Sequence, residues 1–202
     1  MVRVRFAPSP TGLLHIGNAR VAVFNWLFAK RHNSAFILRI EDTDVARSEK
    51  KYMTQLIEDL HWLGLTWQEG PDLGGQYGPY LQSERLHIYN DLCQKFLKEG
   101  MAYKCYCTPE ELEERRRIAK LMGKPPRYDN RCRELTDKQI RAFETSGLRN
   151  TIRFKVPDEL VVFDDLIRGT CQFDMSLTGD FVIMRSDGTP SFHFAVAIDD
   201  TL

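Results

Sequence analysis

Long hydrophobic runs, net charge and cysteine are all in short supply in this chain of 202 residues. No apolar stretch approaches the ~20 residues that a helix needs to cross a bilayer, so no membrane-spanning helix and no membrane partner are expected. The opening Met1-Val2-Arg3-Val4-Arg5-Phe6 alternates apolar residues with arginine and holds no apolar block of the kind that marks a signal peptide. Five cysteines, an odd number at low density, do not make a disulfide framework. They suit a reducing compartment, and the expected location is cytoplasmic. Two glycine strings that cradle phosphates, G-x-x-x-x-G-K-[ST] and G-x-G-x-x-G, are also missing. Their absence argues against a P-loop ATPase and against an ordinary dinucleotide enzyme. Neither internal repeats nor low-complexity segments occur.

What is present is apolar material for a sizeable core, 43% of residues beside 28% charged. At roughly one domain per 150 residues, the length fits one large domain, alone or carrying an insertion. The 28 Lys+Arg and 28 Asp+Glu cancel over the chain but not along it. From Ser34 to Gly75 four Lys/Arg stand against eight Asp/Glu, and from Met101 to Arg133 nine stand against five. The basic segment is either an ordinary solvated face or a surface that meets phosphates.

Periodicity orders the chain. Val2–Phe6 reads as a strand, Ala7–Gly12 as a proline-stiffened loop, and Ile16–Lys30 as a helix apolar nearly all round, as a buried crossover helix would be. A second apolar strand, Ala35–Ile40, completes a βαβ unit whose strands should be parallel. Amphipathic helices follow, one ending at Gly64 and one at Gly100. Beyond them the texture changes. Met101–Cys107 is a candidate strand, and Thr108 and Thr136 each open a capping box, with Glu111 and Gln139 three residues on. Short strands are expected at Thr151–Val156, Leu160–Phe163, Thr170–Phe173 and Phe181–Met184, with Ser191–Ile198 a further apolar run. The expected fold class is therefore α/β, a parallel sheet carrying an α+β insertion. Its boundaries are 1–100 for the start of the parallel α/β domain (the first half of a nucleotide-binding domain by the resemblance given below), 101–185 for the insertion and 186–202 for the return to the first domain.

The richest string is Arg5-Phe6-Ala7-Pro8-Ser9-Pro10-Thr11-Gly12-Leu13-Leu14-His15-Ile16-Gly17-Asn18. It lies at the carboxyl end of the first strand, where α/β sheets bind ligands, and it runs into a helix N-terminus whose N–H groups favour an anion. His15 there is a candidate hydrogen-bond donor to phosphate, and Gly17 leaves the backbone open to a nucleotide.

This string resembles the HIGH-motif region of the glutamyl branch of class I aminoacyl-tRNA synthetases. The likeness continues through FNWLFAKRH, FILRIEDTD, LHWLGLTWQEGPD, GPYLQSERLHIY, YKCYCTPEEL and RSDGTPSFHFAVAIDD. It implies a HIGH-type, Rossmann-like fold, cut after its first half, with an acceptor-binding insertion. It also implies glutamate–tRNA ligase activity, in which ATP with magnesium and L-glutamate give glutamyl-adenylate and the acyl group passes to tRNA. Carried over residue by residue, His15 and Asn18 are the ends of the HIGH tetrad and the candidate catalytic pair, with Asn18 in place of the second His. Pro8, Ser9, Pro10, Thr11, Gly12 and Gly17 join them around ATP. Arg5, Ala7, Ser9 and Glu41 match the glutamate-binding positions, Arg5 for a carboxylate and Glu41 for the ammonium group. Asp42 and Asp44 read as loop solvation. Phe192 stands where the family commonly has tyrosine, which removes one hydrogen bond, typically ~1 kcal/mol.

Cys105-x-Cys107 followed by Tyr128-x-x-x-Cys132 offers three thiols and a phenol, and zinc takes four ligands. The resemblance implies a zinc site, its fourth ligand either Tyr128 or Glu134; three reduced, buried thiols are the alternative. Along the same stretch Arg115, Arg116, Arg117, Lys120, Lys124, Arg127, Arg131 and Arg133 are placed to follow a tRNA acceptor stem, or else to pair with Glu110, Glu111, Glu113 and Glu114. The family's KMSKS-type loop is not in the 202 residues, so the chain is expected to charge little or no tRNA alone; a monomer is expected. Two alternatives stay open: a glutamyl-queuosine tRNA synthetase-like paralogue and a truncated tRNA-binding module.

Overall fold

The computed structural model describes residues 2–43 and 48–202; Asp44 of the EDTD stretch lies outside them. In chain order the elements are β1 (Arg3–Phe6), α1 (Ile16–Arg31), β2 (Ala35–Leu38), α2 (Lys50–Trp62), α3 (Leu86–Lys98), β3 (Ala102–Cys105), α4 (Pro109–Leu121), α5 (Asp137–Thr145), β4 (Thr151–Phe154), β5 (Leu160–Asp165), β6 (Gly169–Asp174), β7 (Val182–Met184) and α6 (Phe192–Thr201). The chain divides into two compact units, Met1–Tyr89 with Ala195–Leu202, and Asn90–Phe194.

In the first unit β1 and β2 pair in parallel, Arg3 opposite Ala35 and Phe6 opposite Leu38. That is the arrangement a strand–helix–strand sequence calls for. The pairing continues past the strand ends, with Arg39 N donating to Phe6 O and Glu41 N to Pro8 O, each at 3.0 Å. Glu41 is thereby held against the loop after β1. Phe6, Phe36, Leu38, Ile40, Leu56, Leu60 and Trp67 form the core. The α2 helix stops where Gly64 takes a φ of 76°, a left-handed conformation that costs glycine nothing.

The α1 helix departs from the expected all-round burial. Its buried residues are Ala19, Ala22 and Ala29, while Val21, Phe24 and Leu27 are exposed. Small side chains on one face let the helix backbone come close to the two strands; Val23 and Trp26 pack partly against the core, while Val21, Phe24 and Leu27 point the other way.

The second unit holds an antiparallel sheet in the order β3-β4-β7 and a separate β5–β6 hairpin. Both capping boxes form as the spacing predicts. Thr108 Oγ1 accepts from Glu111 N at 3.2 Å and Thr136 Oγ1 from Gln139 N at 3.4 Å, while Glu111 and Gln139 reach back to the cap N–H groups. The apolar run 191–198 is mostly helix, the first part of α6.

Candidate functional site

Arg5 sits on β1, and its Nε and Nη2 donate to the two oxygens of Asp200 at 2.8 and 2.7 Å. The same carboxylate accepts from Arg39 Nη1 at 2.8 Å, and Arg39 Nη2 donates to Glu41 Oε1 at 3.0 Å. Arg39 and Glu41, two apart on extended chain, project to one side, and both are buried. Burial pushes the Glu41 carboxyl up from its ordinary range against the pull of Arg39. Burial acts on Asp200 in the same direction, but the hydrogen bonds from Arg5 and Arg39 outweigh it and hold that carboxyl low. Beside it the Asp199 carboxylate, 1% exposed, accepts from Arg85 Nε and Gln82 Nε2 at 2.8 Å and from the Tyr89 hydroxyl at 2.9 Å. A cleft of about 440 Å³ is lined by Arg3, Arg5, Arg39, Tyr80, Arg85 and Asp200 among others. Its four guanidinium groups and two aspartates put charge of both signs on one lining, each group paired within the protein, Arg3 with Glu69, Arg5 and Arg39 with Asp200 and Arg85 with Asp199.

His15 lies outside that cleft's lining, as do Ala7, Ser9 and Glu41. It is the N-cap of α1, its Nδ1 accepting from Gly17 N at 3.2 Å. With Nδ1 engaged as an acceptor, a neutral ring carries its proton on Nε2. His15 thus presents an N–H donor at an exposed helix start, next to exposed Asn18. A Cβ on Gly17 would lie 2.9 Å from the His15 ring, so this glycine makes room for the cap. Along the loop Pro8 and Pro10 are buried and Ser9, Thr11 and Gly12 exposed, with Thr11 N closing a turn onto Ser9 O at 2.9 Å. Asp42 accepts from the N–H and hydroxyl of Ser83. Phe192 opens α6, 46% exposed, its ring edge-on to His193.

In the second unit Cys105, Cys107 and Cys132 bring their sulfurs within 4.8 Å of one another. The Cys107–Cys132 separation is 3.6 Å, and the Tyr128 hydroxyl lies 3.4 Å from Cys105 Sγ and 3.7 Å from Cys107 Sγ. In a tetrahedral site with Zn–S bonds of ~2.3 Å the sulfurs stand roughly 3.8 Å apart, so this donor set fits zinc. Glu134 is exposed and is not in the thiol group. Hydrogen bonding from Cys132 lowers Cys105 to about 4 in spite of burial, with Tyr128 and Arg153 adding to the effect, whereas Cys132 and the Tyr128 phenol are driven up. Among the basic residues nearby, Arg116 pairs with Glu113, Arg117 with Glu114, Arg115 with Asp129, Arg131 with Glu111 and Arg133 with Asp180.

Arg39, Gln82, Arg85, Tyr89, Asp199 and Asp200 were not singled out by the sequence reading. Charged residues directly after apolar runs, in FILRIE and FAVAIDD, are the signal that would have found three of these positions: a charge entering a core needs a partner.

A family model described as tRNA synthetases class I (E and Q), catalytic domain, matches residues 1–202. The chain is 56% identical over 202 residues to a glutamate–tRNA ligase of Sulfurihydrogenibium sp., covering 100% of this chain and 42% of that protein. To a glutamate–tRNA ligase of Listeria innocua it is 52% identical over 202 residues, again 100% of this chain and 41% of the relative. The crystal structure of a glutamate tRNA ligase from Elizabethkingia meningosepticum in complex with its amino acid superposes with a TM-score of 0.89 at 40% identity, over 99% of this chain and 41% of that one. The chain thus spans about two-fifths of the length of these relatives.

Proposed function

Because this chain belongs to the catalytic-domain family of the class I glutamyl- and glutaminyl-tRNA synthetases, we propose that it serves the ATP-dependent attachment of L-glutamate to tRNA. What carries this reading is the likeness, over the whole of this chain, to part of the glutamate–tRNA ligases. Glutamate enters with two carboxylates and one ammonium group. Arg5 takes a carboxylate through its fork, in competition with Asp200, and Glu41 faces the ammonium group. The glutamate α-carboxylate attacks the α-phosphate of ATP, which enters with magnesium, and pyrophosphate leaves; the tRNA terminal hydroxyl then attacks the carbonyl of the mixed anhydride, taking the glutamyl group and releasing AMP. His15 Nε2–H and the open N–H groups at the start of α1 meet the phosphates, where negative charge grows in the transition state. Asn18 adds a neutral donor, and Pro8 to Gly12 shape the loop on which Ala7 and Ser9 border the amino acid.

The thiol cluster is, in this proposal, a structural zinc site of Cys105, Cys107 and Cys132 with Tyr128 as fourth ligand. Zinc when bound cross-links the start of the second unit to the loop after α4. The arginines of α4 and of that loop, with Lys120 and Lys124, form the surface for the tRNA acceptor stem, their carboxylate partners exchanging for phosphates. The reading places the protein in the cytoplasm.

Binding of a non-reactive glutamyl-adenylate analogue tests the reading. The chain should prefer it to the aspartyl analogue, and Arg5→Ala should weaken binding by about tenfold or more, the loss of a charge-assisted pair. Equal affinity for the two analogues, or an unaffected Arg5→Ala, would defeat it.

A further inference from the structure

Arg153 on β4 is 7% exposed, yet it forms no ion pair with a carboxylate among the described residues. Its Nη1 donates to the backbone oxygen of Asp180 at 2.8 Å, while the Asp180 carboxylate is taken by Arg133 and the Tyr103 hydroxyl. Its Nε is buried with no hydrogen-bond partner. The guanidinium carbon lies 3.8 Å from the centre of the Tyr128 ring, and Tyr128 places its hydroxyl on the sulfurs of Cys105 and Cys107. A buried cation needs a counter-charge, and a buried N–H needs an acceptor. The thiol cluster behind the Tyr128 ring is the anionic group at hand. One divalent metal with three thiolates and an uncharged Tyr128 hydroxyl carries a net charge of −1, and one arginine brings that buried assembly to zero.

We propose that Arg153 is a positioning residue of the cluster, holding the Tyr128 phenol against the three sulfurs and supplying the positive charge that balances them when metal is bound. The inference rests on the zinc reading given above. It adds a residue outside the ligand set, one strand over in the β3–β4 ladder, where Arg153 is opposite Tyr103. Groups of this kind orient ligands and tune affinity without touching the metal.

The test is zinc affinity, measured by competition with a chromophoric chelator on the whole chain, for wild type, Arg153→Met and Arg153→Lys. Arg153→Met should weaken zinc by ~10–100-fold, the usual effect of removing such a group, and Arg153→Lys should recover part of that loss because it keeps the charge. A folded Arg153→Met that binds zinc as tightly as wild type overturns the inference and leaves the zinc site standing. Wild type that takes up no zinc overturns the zinc reading itself. Should Arg153→Met fail to fold, the wild-type Arg153 Nε–H resonance decides. It should move when zinc is added, and a resonance that stays put overturns the inference.

Discussion

Asp199 concentrates the electrostatics of the first unit. Its carboxylate and the Arg85 guanidinium are 1% and 5% exposed, and removing one member of such a pair strands the other in the core. Asp199→Ala should therefore cost about 3–5 kcal/mol in denaturant unfolding, and a loss of under about 1 kcal/mol would mean that the network is not formed. Asp180 does comparable work in the second unit. Burial works to raise its carboxyl, but Arg133, Tyr103 and the Val156 N–H hold it below the ordinary aspartate range. A folded value below the unfolded one means that the unfolded state binds more protons, so this stability is complete above the ordinary aspartate range and lost as pH falls through the folded value. Glu41 has the opposite sign: its raised carboxyl makes stability decline as pH rises from the ordinary glutamate range through the folded value. Asp180→Asn should accordingly flatten the acid limb of the unfolding curve, whereas Glu41→Gln should flatten the fall on the other side. An acid limb unchanged in Asp180→Asn would contradict this assignment.

Elements differ in how openly the sequence declared them. The strand–helix–strand start and both capped helices were legible because their signals are local: alternation for β1 and β2, and a threonine three residues before Glu111 or Gln139 for α4 and α5. The buried face of α1 was not legible. Apolar residues lie on every side of it, and only the packing shows that alanines face the strands. Nor was the ion network legible, since Arg5 and Arg39 meet Asp200 across 195 and 161 residues, and no local period reports such pairing. Of the candidate site, the three cysteines and Tyr128 were readable from spacing and do lie together. Arg5, Glu41 and His15 were readable from the family resemblance, but their partners were not. At this scale Thr108→Ala should destabilise the second unit by about 1 kcal/mol through the lost cap, read from urea midpoints. No change in midpoint would mean that α4 does not depend on its box.

Over the whole molecule, zero net charge hides two regions of opposite sign, and the function proposed here uses both. Acidic and basic groups around Arg5 receive a zwitterionic amino acid, and the arginines of α4 and the loop after it meet phosphates. If so, tRNA affinity should fall with salt, the slope of log K against log salt being about −0.7 to −0.9 per phosphate contact. Arg116→Gln with Arg117→Gln should then reduce that slope by up to roughly two contacts. A slope unmoved by the double substitution would make those arginines partners of Glu113 and Glu114 alone.

The most direct measurement is a crystal structure of the chain with the glutamyl-adenylate analogue. The account predicts that the analogue's carboxylate is bound to Arg5, displacing or sharing Asp200, and that its phosphate lies within hydrogen-bond distance of His15 Nε2. An analogue bound away from both residues, with the Arg5–Asp200 pair untouched, would contradict it.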